Sequence, residues 1–263
     1  MLGRMTVLIA AVCAVAAMQC TSDGGKKHGT GIRNTAVPPA EARVVSAVPQ
    51  TQSVSMKTED GVILAGTLYA AKSTAPAVLC LHQWRSDRSA YAALASALQG
   101  EGFTVLTIDM RGHGGSVSRA DGGKVAPDRN ALPDVAAAVA FLRKHPSVDR
   151  SRIAIIGASY GASNAIRFAA GDGGVKAVVL YSPGINYFNV LPIEDAVRGF
   201  KGAVFAAASN EDVRSADAVK KIDEWTGGRA TTKLFDNAGH GTDMLGAGVG
   251  LTQTTIAFLK ENL

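Results

Sequence analysis

The chain has 263 residues, of which 47% are hydrophobic and 19% charged, and it carries a formal net charge of +5. This length and composition fit one full-sized globular domain with a short appendage. The basic residues are spread along the chain instead of forming a patch, so we predict no nucleic-acid partner.

The N-terminus has the pattern of an export signal. Arg4 precedes an apolar run at residues 5–18, which is short for a membrane span, and Cys20 follows that run. Cleavage near Ala16 or Ala17 would release a periplasmic protein, whereas lipidation of Cys20 would give a membrane-anchored lipoprotein. The residues before Cys20 resemble a lipobox only loosely, and an uncleaved anchor is a third interpretation. We therefore predict export for residues 1–20, with a periplasmic or a lipid-tethered product.

Residues 21–52 are rich in Gly, Lys, Thr, Pro and Ala and predict a flexible tether. Beyond it, short apolar runs alternate with helical patterns. The predicted strands are residues 54–56, 62–69, 77–81, 103–108, 153–156, 175–181, 203–208 and 232–235. The predicted helices are residues 90–100, 132–144, 162–170, 215–224 and 250–259. This alternation indicates a mostly parallel sheet covered by helices on both faces. Residues 53–263 are therefore predicted to form one α/β domain, with Cys80 as a buried apolar side chain.

The sequence Gly-Ala-Ser-Tyr-Gly at residues 157–161 follows the strand predicted at residues 153–156 and opens a helix. A serine in this strand–turn–helix context is typical of a nucleophile elbow, in which the flanking glycines avoid clashes with the neighbouring strand and helix. The five-residue pattern alone is weak evidence, because a chain with 29 glycines produces such matches by chance. The alternative is a helix N-terminus without chemistry. The context favours Ser159 as a nucleophile.

A serine nucleophile needs a base, and the base needs an orienting carboxylate. His240 is the only histidine after Ser159, and it lies in a glycine-rich loop behind the last predicted strand. Asp212 follows the strand at residues 203–208 and is the predicted carboxylate, with Glu211 as the alternative. The other histidines are less suitable by position: His28, His82, His113 and His145.

These residues, together with the sequence D-M-R-G-H-G-G-S at residues 109–116, resemble the α/β-hydrolase superfamily over nearly the whole chain beyond the tether. In that superfamily the D-x-R-G-H-G-x-S turn is usually structural, which implies a scaffold role for His113. Residues 148–153 and 181–184 resemble the dienelactone-hydrolase-like and prolyl-oligopeptidase-like branches. Dienelactone hydrolase carries a cysteine nucleophile where this chain has Ser159. The resemblance therefore implies a serine esterase and not that lactone activity.

The resemblance also implies an oxyanion hole made by two backbone N–H groups. One belongs to Tyr160, and the other to the loop after the third strand. Trp84 is the predicted donor there, with Gln83 as the alternative, although the superfamily commonly has glycine at the position of Gln83. The interval at residues 183–200 is too short for a large cap. An open site lined by Trp84, Tyr160 and Tyr187 is expected to accept small or short-acyl esters.

We therefore predict a serine hydrolase that cleaves small carboxylic esters through an acyl-enzyme on Ser159, His240 and Asp212. No His, Asp and Cys residues stand at the spacing of metal ligands, and we predict neither a metal nor another cofactor. The alternatives are a peptidase or amidase on the same triad and a non-catalytic binding protein with the same fold. The oligomeric state stays open.

Overall fold

The structure, a computed structural model, describes residues 51–263. The predicted signal at residues 1–20, with Cys20, lies outside the described residues, and so does nearly all of the predicted tether. Thr51 and Gln52, which we placed in the tether, already pair with Tyr69 and Leu68 in the first two strands. Between residues 51 and 263 no helix is both long enough and apolar enough to span a bilayer.

The predicted strands and helices are all present, with shifted ends. The strands are β1 Thr51–Lys57, β2 Val62–Tyr69, β3 Ala75–Leu81, β4 Thr104–Ile108, β5 Ser118–Arg119, β6 Val148–Ala158, β7 Val175–Tyr181, β8 Asn186–Tyr187, β9 Leu191–Pro192, β10 Ala203–Ser209 and β11 Thr231–Phe235. The helices are α1 Ala92–Gly100, α2 Leu132–Lys144, α3 Tyr160–Asp172, α4 Glu194–Gly199, α5 Val213–Thr226 and α6 Leu251–Asn262. We did not predict β5, β8, β9 or α4, which are two to six residues long.

The main sheet has the strand order β1-β2-β4-β3-β6-β7-β10-β11, and β5 pairs with β2 at its side. Strands β3, β4, β6, β7, β10 and β11 run parallel, whereas β1 and β2 are antiparallel to their neighbours. The sheet is therefore mostly parallel, as predicted.

Helices cover both faces of this sheet because successive side chains of a strand point to opposite sides. In β3, Leu79 and Leu81 pack in the cluster that includes the apolar sides of α2, α3 and α5. Val78 and Cys80 pack in the second cluster, with α1 and α6. Cys80 is completely buried, as predicted, and burial raises the pKa of its thiol. The fold class predicted from the sequence is confirmed.

The turn at residues 109–116 is held by ion pairs of its two buried members, Asp109 and Arg111. The Asp109 carboxylate accepts hydrogen bonds from the backbone N–H of Arg88 at 2.7 Å and pairs with the guanidinium of the same residue. Arg111 donates from Nε to Asp134 Oδ1 at 2.8 Å and from Nη1 to Asp60 Oδ2 at 2.8 Å. The hydrogen bond from Arg111 lowers the pKa of Asp60 to about 2. These contacts fasten the turn to the β1–β2 connection, to the segment after β3 and to α2, which supports a scaffold role.

The short connection between β7 and β10 leaves one edge of the sheet open. It holds only the two-stranded hairpin β8–β9 and the six-residue helix α4. The cap is therefore minimal, as predicted. The carboxyl ends of parallel strands meet at one edge of a sheet, and in open α/β sheets ligands bind there. The loops after β3, β6, β10 and β11 carry the predicted site residues.

Candidate active site

Ser159 lies alone between β6 and α3, in a sharp turn. Its backbone has φ 52° and ψ −114°, a combination that residues with a side chain rarely adopt. The N–H of Ser159 donates to the carbonyl of Tyr181 at 2.8 Å, which holds the turn against β7. Such strained conformations occur preferentially at functional sites. This local geometry is that of a nucleophile elbow.

Gly157 and Gly161 explain how this turn fits between its neighbours. A Cβ atom at position 157 would lie 2.4 Å from the carbonyl oxygen of Gly161. A Cβ atom at position 161 would lie 2.3 Å from the carbonyl oxygen of Leu81, the last residue of β3. Only glycine allows these approaches. The close approach at Gly161 brings the N-terminus of α3 against the loop that follows β3.

His240 and Asp212 are brought together from two different loops. Asp212 is the residue before α5, and His240 precedes the short 3-10 turn Gly241–Leu245. His240 Nδ1 lies 2.6 Å from Asp212 Oδ2. An ionised carboxylate only accepts hydrogen bonds, so Nδ1 carries the proton and Nε2 is left as the free base. This is the tautomer that a general base for serine requires.

The surroundings of Asp212 favour the ionised form of its carboxyl group. Partial burial raises the pKa of this carboxyl group, but its interactions with Ser215 and His240 outweigh that effect and the pKa is lowered. The His240 side chain is 41% exposed and Asp212 20%. Asp212 is therefore an ionised group that orients an accessible imidazole.

Among the described residues, no hydrogen bond of normal length joins Ser159 Oγ to His240. Catalytic hydrogen bonds of free enzymes are often long and shorten when substrate binds. Of the three predicted residues, Asp212 and His240 are in direct contact, and Ser159 lies in the loop after β6, at the same edge of the sheet.

Glu211, the alternative carboxylate, has a different contact. Its Oε2 accepts hydrogen bonds from the N–H of Asn237 at 2.8 Å and from the hydroxyl of Ser209 at 2.5 Å. Asn237 has φ 53° and lies three residues before His240. Glu211 therefore holds the start of the histidine loop, while Asp212 contacts the imidazole.

The predicted oxyanion donors are available. The backbone N–H groups of Tyr160, Trp84 and Gln83 donate to no acceptor among the described residues. The first N–H groups of a helix have no partner inside the helix, which leaves that of Tyr160 free for a ligand. In the loop after β3 the left-handed conformation falls on Arg85, with φ 63°, and not on Gln83. The residue that replaces the usual glycine therefore causes no backbone strain at position 83.

Three histidines serve as structural groups. His82 is fully buried, donates from Nδ1 to the Gln83 carbonyl at 2.7 Å and accepts from the N–H of Met110 at 2.9 Å. Burial lowers the pKa of His82 to about 4, so this ring is neutral. His113 Nδ1 lies 3.0 Å from the carbonyl oxygen of Arg111. His145 contacts Ser147 at the other end of β6.

Tyr160, which follows Ser159 in the chain, belongs to a cluster of aromatic rings. The Trp84 ring packs edge to face on Tyr160 and tilted on Phe188, each with 5.1 Å between centroids. The Tyr187 hydroxyl donates to the Ser182 carbonyl at 2.9 Å. Burial raises the pKa of Tyr187, and interactions with Ser159 and Ser215 partly offset this. The role of Trp84 and Tyr187 in lining the site stays a prediction.

Phe188, which we did not predict from the sequence, completes this aromatic wall. The sequence feature that could have pointed to Phe188 is its position next to Tyr187. A single aromatic residue in a loop does not identify a site. Phe188 lies at the tip of the β8–β9 hairpin with φ 58°, and the Arg129 guanidinium lies 4.9 Å from its ring centroid. In the described part of the chain, no group of three or more His, Cys, Asp or Glu side chains is arranged to hold a metal ion.

The fold and the geometry of this site define an α/β hydrolase. A family model described as serine aminopeptidase, S33, matches residues 72–225, more than half of the chain. The chain therefore belongs to this family. Membership of the α/β-hydrolase superfamily, predicted from the sequence, is confirmed.

The chain is also similar to individual proteins in sequence and in structure. An uncharacterised protein of Mycobacterium tuberculosis is 36% identical over 140 residues, which cover 52% of this chain and 47% of that protein. A thiohydrolase of Arthrinium phaeospermum is 35% identical over 137 residues, or 51% and 43% of the two chains. The chain thus matches about half the length of these curated relatives. The structure of an esterase from Pyrococcus furiosus is similar with a TM-score of 0.67 and 24% identity, covering 81% of this chain and 93% of the esterase.

Proposed function

We propose that this protein is a serine hydrolase that cleaves carboxylic esters through an acyl-enzyme. The observation that carries the proposal is the contact of 2.6 Å between His240 Nδ1 and Asp212 Oδ2, beside a serine in a strained elbow. Tyr160 and Trp84 supply free N–H groups on the side of the elbow where α3 and the β3 loop meet.

The reaction follows from these groups. His240 Nε2 takes the proton of Ser159 as Oγ attacks the ester carbonyl, and the N–H groups of Tyr160 and Trp84 stabilise the oxyanion that forms. The C–O bond to the alcohol then breaks, and His240 returns its proton to the leaving alkoxide. A water molecule, deprotonated by His240, attacks the acyl-enzyme in the same way. The acid product leaves and Ser159 recovers its proton.

The surroundings of the site favour esters over the N-terminal amino acids that an aminopeptidase removes. An aminopeptidase must bind the α-ammonium group of its substrate, which requires a free carboxylate or a similar acceptor. The two carboxylates of the loop after β10 are already engaged, Asp212 by His240 and Glu211 by Asn237. The cation of Arg129 lies on Phe188 and would repel an ammonium group.

The proposed reaction class is tested by comparing p-nitrophenyl acetate, an acetyl thioester and an aminoacyl p-nitroanilide. We expect kcat/KM for the ester to exceed that for the anilide by about 100-fold or more, because the ammonium group would be left unpaired. The thioester is included because one relative is named a thiohydrolase and thioesters pass through the same acyl-enzyme. Equal or faster anilide cleavage would favour the peptidase alternative. No turnover of any of the three would favour the binding protein.

A preference for short acyl chains is expected from the aromatic wall. The rings of Trp84, Tyr160 and Phe188 are in mutual contact, so they fill the space that a long acyl chain would need. We expect kcat/KM for p-nitrophenyl acetate to exceed that for the decanoate by about tenfold or more, since one misfitting methylene is worth about 1–3 kcal/mol.

The matched variants for this prediction are Phe188→Ala and Phe141→Ala. Phe188→Ala removes a ring of the wall and should lower the ratio of kcat/KM for the acetate to kcat/KM for the decanoate. The second removes a ring on α2 that packs on His145, away from the site, and should leave the ratio unchanged. A clear decanoate preference of the unmodified protein would contradict the prediction.

A further inference from the structure

The side chain of Gln83 joins the two loops that would carry the oxyanion donor and the base. Its Oε1 lies 2.7 Å from the backbone nitrogen of Thr242 and 3.1 Å from the Thr242 hydroxyl. A backbone N–H can only donate, so the amide oxygen of Gln83 and not its nitrogen faces Thr242. Thr242 is the second residue after His240, and Gln83 immediately precedes Trp84.

Both ends of this contact are held in place. The backbone carbonyl of Gln83 accepts hydrogen bonds from His82 Nδ1 at 2.7 Å and from the N–H of Ser86 at 3.2 Å. On the histidine loop, Gly241 donates its N–H to the Ser182 hydroxyl at 2.8 Å. The Gln83 side chain therefore connects two anchored segments instead of two free loops.

Gly241 shows how closely the two loops approach. Its φ is 61°, and a Cβ atom at this position would lie 1.9 Å from Gln83 Oε1. Thr242 is buried, with 8% of its surface exposed, so its N–H depends on Gln83 for a partner. A buried donor that loses its acceptor is costly, and the loop would have to move to reach water. Glycine, the residue common at position 83 in the superfamily, has no side chain for this contact.

We infer that Gln83 is a positioning residue, whose amide oxygen holds the His240 loop at a fixed separation from the backbone donor of Trp84. The inference rests on the proposed function. Base and oxyanion donors must act on the same reacting carbonyl, and a misplacement of about 1 Å can cost about 10²-fold in rate. The side chain of Gln83 thus couples the two parts of the site.

The test uses Gln83→Met and Gln83→Glu. Methionine has a similar size and no comparable acceptor, whereas glutamate keeps an oxygen facing Thr242. For Gln83→Met we expect kcat on p-nitrophenyl acetate to fall about 10- to 100-fold, as for other residues that orient a catalytic group, with KM changed less than about threefold. Amide hydrogen exchange at Thr242 should become faster. Gln83→Glu should restore both the protection of Thr242 and most of kcat.

The matched control is Gln99→Met, which removes the hydrogen bond from Gln99 Nε2 to the Ala70 carbonyl, 2.8 Å long and remote from the site. It should change thermal stability without changing kcat. The inference is wrong if Gln83→Met keeps kcat within about twofold of the unmodified protein, or if Gln83→Glu loses as much kcat as Gln83→Met. An unmodified protein that neither hydrolyses the ester nor reacts with a fluorophosphonate would overturn the proposed function itself, and this inference with it. The two failures are therefore distinguishable.

Discussion

Replacing Ser159 by alanine is expected to lower kcat for ester hydrolysis by about 10⁴- to 10⁶-fold and to abolish labelling by a fluorophosphonate probe. The hydroxyl is the atom that becomes acylated in the proposed mechanism, so its removal leaves only the residual catalysis of the oxyanion donors. Steady-state kinetics with p-nitrophenyl acetate and gel fluorescence after labelling measure the two effects separately.

Ser163→Ala is the matched control for this variant. Ser163 lies one turn further along α3, is 1% exposed, and its hydroxyl has no hydrogen-bond partner among the described residues. Its removal should leave labelling and kcat unchanged. Labelling that persists in Ser159→Ala would identify a different nucleophile, and an unmodified protein that is never labelled would favour the non-catalytic alternative.

Replacing Asp212 by asparagine is expected to lower kcat by about 10³- to 10⁴-fold. The amide is nearly the same shape as the carboxylate, but it carries no charge to stabilise the imidazolium that forms on His240. Its NH₂ group can also face Nδ1 and select the wrong tautomer. Because the pKa of Asp212 is lowered, the carboxylate is ionised at neutral pH. The difference in charge between aspartate and asparagine is therefore fully present in an assay at neutral pH.

The Glu211→Gln variant distinguishes the role of Glu211 from that of the adjacent Asp212. Glu211 contacts Asn237 and Ser209 and not the imidazole, so kcat should stay within about tenfold of the unmodified value. The assignment of the carboxylate is wrong if Glu211→Gln costs as much kcat as Asp212→Asn. Circular dichroism of both variants checks that each one is folded.

The strands and helices of the main sheet were predictable because each leaves its own apolar pattern. Strands buried on both faces contain continuous apolar runs, as at residues 77–81 in β3 and 177–181 in β7, and α2 has an apolar stripe with Pro133 and Asp134 in its first turn. The elements we missed are too short for any period to show. The helix Glu194–Gly199 has six residues, and β8 and β9 have two each.

The chain order of the candidate triad was also visible in the sequence. A Gly-rich turn between a strand and a helix marks Ser159, and His240 is the only histidine that follows it. Both are local signals, since they depend on residue type and on neighbours along the chain. These two local signals were sufficient to name a candidate nucleophile and a candidate base.

Local sequence signals do not establish whether Glu211 or Asp212 contacts His240. Both are carboxylates, and they are adjacent in the chain, so the sequence favoured Asp212 but kept Glu211 as the alternative. Only the packing of the loop after β10 against the loop after β11 decides which of them contacts His240 and which contacts Asn237.

The sequence by itself determined the class of fold, the order of its elements, and the candidate residues for nucleophile and base. The tertiary structure separated Asp212 from its alternative Glu211 as the partner of His240. It alone decided the aromatic wall with Phe188 and the contact between Gln83 and Thr242, which lie 159 positions apart. The physical reason is that periodicity and turn chemistry act between chain neighbours. Contacts between loops depend instead on where the folded sheet brings the ends of distant strands together.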